Sequence, residues 1–162
     1  MEHILATCNH PTNVAIWRCA RDMWPYEEGS WPNTTLGTII GCNALNVETT
    51  VESRGRDGLP RRKKQLNNGA TRLLKILISE SAYLIWLLRC ERTIRGREHT
   101  EREVTAAWRK TINRRLSEDK TTAIKVLRRK SYISLVKSTW EEALRKRHCN
   151  LPDDWINRNV VF

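Results

Sequence analysis

The sequence predicts an all-α fold of about four to five helices packed around a central buried helix, with a flexible linker at about residues 43–68. Three observations carry this prediction. A long apolar run bounded by glycine fills Gly69–Gly96, a capping box followed by apolar stripes spans Thr100 to Leu144, and an amphipathic stretch opens at Pro11 and stops at Pro25. The chain divides accordingly into residues 1–42, the linker at 43–68 and a helical region at 69–162, with the first and last packing as one domain.

The central helix is the most distinctive element. At about 100° per residue, its Leu, Ile, Ala, Tyr and Trp side chains between Leu73 and Leu88 point nearly all the way round, the pattern of a segment covered on most sides. Tyr83 and Trp86 are therefore expected in the core, and the helix is assigned no chemistry. A strand would be shorter and richer in β-branched alternation. A membrane span needs about 20 apolar residues, and Lys75, Glu80 and Arg89 interrupt this run.

Taken in order, Pro11 suits a first helical turn, and Val14, Ile16, Trp17, Ala20, Met23 and Trp24 recur with helical spacing. Tyr26–Asn33, which follows Pro25 and holds Gly29 and Pro32, is a loop from which Trp31 can pack back on the core. Thr35–Gly41 is either one helical turn or an extended piece. The linker has few large apolar residues and cannot bury enough surface to offset its ordering entropy. Thr100 and Glu103 form a capping box that starts a long helix. A further N-cap is expected at Ser117, and a break near Arg128 to Ser131. At the tail, Leu151–Trp155 forms a turn that tucks Trp155 inward, with Asp153 and Asp154 as capping residues.

At 162 residues the chain suits a single domain. Its apolar fraction of 40% and charged fraction of 29% require that few segments carry the core. The formal net charge of +11 points to an acidic partner, RNA or DNA first among them, against the plainer reading of solvated cationic faces. Residues 101–147 hold fourteen Lys/Arg and six Asp/Glu, a balance of +8. Five widely spaced cysteines make a disulfide framework improbable, and the first ten residues lack the pattern of a secretory leader. The chain is read as intracellular, nuclear or cytoplasmic, with no membrane and no small-molecule substrate.

The candidate phosphate contacts are Arg109, Lys110, Arg114, Arg115, Arg128, Arg129 and Lys130 on the carboxy-terminal helices. The Arg61-Arg62-Lys63-Lys64 run in the linker is a phosphate contact, a nuclear import signal or a solvated charge run. Exposed aromatics that would mark single-strand stacking are not evident, because Trp108 and Trp140 fall on apolar stripes. His3 and Cys8 stand in an H-x4-C spacing, one pair of zinc ligands without a second, or else incidental residues on a frayed terminus. No nucleophile, acid/base or phosphate-loop arrangement marks an enzyme.

The stretches EHILATCNHP, IWRCARDMWP, WPNTTLGTIIGC, TRLLKILISESAYLIWLLRCERTI and LPDDWI are similar to the carboxy-terminal region of fungal non-LTR retrotransposon polyproteins and their derived open reading frames. There, a reverse transcriptase or RNase H type domain is followed by a small zinc-binding segment and a helical region. The resemblance implies a module that holds RNA or DNA beside an upstream catalytic domain, or one that packs on that domain with no ligand of its own. The family's zinc segment is a C-x2-C pair followed by an H-x4-C pair. His3 and Cys8 stand at the second pair, so the resemblance implies a chain beginning inside the motif, and zinc only where an upstream pair is present. No C-x2-C occurs here, and the carboxylates do not follow the RNase H pattern.

Overall fold

The computed structural model describes residues 2–54, 60–125, 130–148 and 150–162. The fold is mostly helical, with a single two-stranded sheet among the described residues. Its helices are α1 (Pro11–Met23), α2 (Leu36–Ile40), α3 (Asn68–Arg95), α4 (Glu101–Lys125) and α5 (Lys130–Arg147). Four of them, α1, α3, α4 and α5, build the core, with α3 touching the other three. None of the described helices is long and apolar enough to cross a membrane.

The ends of α3 follow from its sequence. The Asn67 side chain accepts from Ala70 N at 2.9 Å, and Gly96 closes the helix at φ 64°, the left-handed conformation that glycine adopts without a Cβ penalty. Leu73, Leu77, Ile78 and Ile85 are fully enclosed. At its first turn α3 meets α5 so closely that a Cβ on Gly69 would lie 2.2 Å from the Ser138 carbonyl oxygen, so glycine is required there.

Burial does not go all round α3, because one stripe through Lys75, Ser79, Tyr83 and Trp86 is partly or fully open to solvent. Tyr83 is 60% exposed, Trp86 42% and Leu87 41%, which corrects their assignment to the core. Ser79, one turn before Tyr83, is likewise exposed and Lys75 before it is half-buried, so the rings continue one solvent-facing stripe of the helix.

One buried ion pair ties three helices together. Arg72 on α3 donates twice to Asp119 on α4, both at 2.7 Å, Trp140 Nε1 on α5 donates to the same carboxylate at 2.7 Å, and Thr139 accepts from Arg72 at 3.4 Å. The expected N-cap at Ser117 is therefore not formed. α4 runs straight through it, because Asp119 points inward to Arg72 rather than marking a new helix. Of the break expected near Arg128 to Ser131, Lys130 and Ser131 belong to α5, and Arg128 and Arg129 lie outside the described residues.

The linker reading is corrected as well. Glu48–Arg54 (β1) pairs antiparallel with Pro60–Leu66 (β2), from Glu48 opposite Leu66 to Arg54 opposite Pro60. Thr49, Thr50 and Val51 favour an extended backbone, and the ladder satisfies itself without a large apolar face. The hairpin is fastened at its base: Asn67 N donates to Val47 O at 2.8 Å, Val47 N donates to Thr71 Oγ1 at 2.9 Å, and Val47 is buried.

Both termini are also held. His3–Thr7 forms one π-helical turn whose carbonyls take Asn13 Nδ2 (Ile4 O, 2.6 Å) and Trp17 Nε1 (Leu5 O, 3.0 Å), which replaces the frayed terminus. Val14, expected on the buried stripe of α1, is half exposed. Thr35 caps α2, so the Thr35–Gly41 stretch is a helical turn. Trp155 is buried, but Asp154 makes no capping bond and instead accepts from Arg158 Nε at 2.7 Å. Phe162 exchanges two hydrogen bonds with the Asn113 side chain, fixing the last residue to α4.

Candidate nucleic-acid interface

α4 is set from its first turn. Thr100 N donates to the Glu103 carboxylate at 2.8 Å while Glu103 N donates back to Thr100 Oγ1 at 3.3 Å, the expected capping box. The Thr100 backbone N–H, and then its hydroxyl, hold the Glu103 carboxyl below its ordinary range. Along the helix, Val104, Trp108, Ile112 and Leu116 face inward, with Trp108 Nε1 donating to Ser81 on α3 at 2.9 Å.

That phase turns Arg102, Arg109 and Lys110 to solvent. A shallow open groove of about 460 Å³ runs along Arg102, Thr105, Ala106 and Arg109, with Glu101 at one end paired to Arg18 on α1. Arg102 and Arg109 are two turns apart, about 10 Å along the axis, with the small Ala106 between them. Among the described residues, Arg102, Arg109 and Lys110 enter no ion pair. Such cations are free to meet phosphate oxygens without first giving up an internal partner.

The other predicted contacts fare differently. Arg114 lies 3.4 Å from Glu80 and 3.4 Å from Glu118, and Arg115 lies 3.2 Å and 3.1 Å from the same two acids. The four charges cancel locally. On the hairpin, Arg62 faces Glu52 at 3.8 Å and Lys64 faces Glu48 at 3.5 Å, while Lys63 is exposed opposite Val51. Lys130 is exposed at the start of α5. The side chain of Arg61, and Arg128 and Arg129 entirely, lie outside the described residues. The two strands pack chiefly on each other, so the hairpin cations stand apart from those of α4.

No family model, curated protein or solved structure matches the chain. At the amino terminus, the His3 ring lies 3.5 Å from Thr7 Oγ1, and Cys8 is a half-buried free thiol. Among the described residues, no three His, Cys, Asp or Glu side chains gather as a metal would require.

Sequence reasoning missed the exposed aromatic pair on α3. Tyr83 and Trp86 sit in the most apolar part of the run, but Lys75 and Ser79 precede them on the same face at i, i+4, i+8 and i+11 spacing. That polar start to the stripe is the signal available beforehand.

Proposed function

We propose that the chain is a non-catalytic helical module that holds RNA or DNA through phosphate contacts, an accessory part of a retrotransposon reverse transcriptase or RNase H polyprotein. The observation that carries this reading is the outer face of α4, where Arg102, Arg109 and Lys110 stand exposed and unpaired among the described residues of a chain with net charge +11. Phosphate contact of this kind is tolerant of sequence and sensitive to salt. In this reading Lys63 and Lys130 supply further contacts from β2 and α5, and Arg61, Arg128 and Arg129 extend them. Arg114 and Arg115 serve mainly to join α4 to α3. Zinc enters only where an upstream ligand pair completes His3 and Cys8.

A second reading is supported by the α3 ridge at Tyr83, Trp86 and Leu87, which leaves a surface for an upstream catalytic domain. A mobility or anisotropy assay with labelled RNA and DNA at 50 and 200 mM salt separates the two. Retention at low salt that falls by at least tenfold supports the nucleic-acid reading. No retention at low salt removes it and leaves the packing role.

A further inference from the structure

Resting on the nucleic-acid reading, we infer that Tyr83 and Trp86 form a base-stacking platform, which makes single-stranded nucleic acid the ligand class. The chain encloses Trp17, Trp24, Trp108, Trp140 and Trp155 and packs Trp31 partly against the core. Trp86 is left 42% exposed, three residues from a Tyr83 that is 60% exposed. Residues three apart on a helix are neighbours, so the two rings share one patch of surface, and Leu87, four residues after Tyr83, adjoins it on the Tyr83 side. The Trp86 indole N–H, like those of Trp31 and Trp155, has no partner among the described residues, whereas Trp17, Trp24, Trp108 and Trp140 donate theirs.

The surroundings select the partner. Contacts of Arg72 with Asp119, Glu80 with Arg115 and Ser81 with Trp108 run up α3 as they run down α4, so the helices are antiparallel. Moving from Glu80 toward Tyr83 and Leu87 therefore moves from Arg114 toward Lys110, one turn earlier on the same side of α4. Arg89 follows Trp86 by three residues on α3. The neighbouring acids Glu80 and Glu118 are already engaged by two arginines. Arg89 and Lys110 enter no ion pair among the described residues. Two open aromatic rings flanked by free cations suit a polyanion whose bases are unpaired: the rings take base faces and the cations take phosphates. A duplex hides its base faces and gains only the cations. A second copy of this chain would bring another +11 charge to the same surface.

The test is fluorescence anisotropy on the full chain with a labelled thymidine single strand of about 16 nucleotides and a duplex of equal length. The wild type is expected to bind the single strand more tightly. Tyr83→Ala/Trp86→Ala should weaken the single strand by about tenfold or more and move the duplex less than about twofold, and Trp86→Phe should restore most of the loss. Both positions are exposed, and an unchanged helical circular dichroism signal verifies folding. If nucleic acid binds and the double variant leaves the single strand unaffected, or weakens both ligands alike, the platform is overturned while phosphate binding stands. If the wild type binds neither ligand, both readings fall. If it is dimeric and the double variant is monomeric with unchanged oligonucleotide affinity, the ridge belongs to a second copy and the inference is overturned.

Discussion

Asp119 and Gly69 are the two residues whose replacement should cost this fold the most. Asp119 is 7% exposed in its side chain and receives three hydrogen bonds from α3 and α5. Asp119→Ala leaves the Arg72 guanidinium buried without its counter-charge, a loss of about 3–5 kcal/mol in urea unfolding. Pairing it with Arg72→Met should recover much of that, because the stranded charge is the main cost. Gly69→Ala drives a methyl group into the Ser138 carbonyl, with an expected loss of about 1–3 kcal/mol in the same measurement. Neither role was legible in the chain. Asp119 reads as the first turn of a new helix after Ser117, since only the packed structure reveals that Arg72 faces it from 47 residues away.

Elements were readable where local chemistry sets them. Asn67 and Gly96 bracket α3 within about one residue of the expected limits, and the Thr100–Glu103 box starts α4 where spacing places it. The hairpin was not readable, because its stability lies in backbone pairing and one anchor at Val47 rather than in apolar content. Thr71→Val removes the acceptor for Val47 N, and hydrogen exchange in β1 and β2 is expected to quicken while α4 stays protected. At the start of α4, the Glu103 carboxyl titrates lower in the folded chain than in the unfolded one. Its contribution is present above an ordinary carboxyl value of about 4.5 and is lost as pH falls through the lower folded value. A pH series of thermal unfolding should therefore show an acid loss that Glu103→Gln flattens.

Over the whole molecule, charge is the property that the sequence displays most plainly and locates least well. The +8 balance of residues 101–147 is visible at once, but whether an arginine is free depends on which acid the fold sets against it. Glu80, on α3, engages Arg114 and Arg115, while Arg109 and Lys110, four or five residues earlier, meet no such partner among the described residues. The exposed ridge of α3 was hidden by its large apolar side chains, although Ser79 and Lys75 mark the same face one and two turns earlier. The proposed function requires that the α4 cations Arg102, Arg109 and Lys110, unpaired among the described residues, meet phosphates. Its most direct test is the slope of log affinity for an oligonucleotide against log salt, measured for the wild type and for Arg109→Ala/Lys110→Ala. A steep negative slope that becomes shallower by about 1–2 in the double variant is the predicted result. An identical slope and affinity in the two proteins would contradict it.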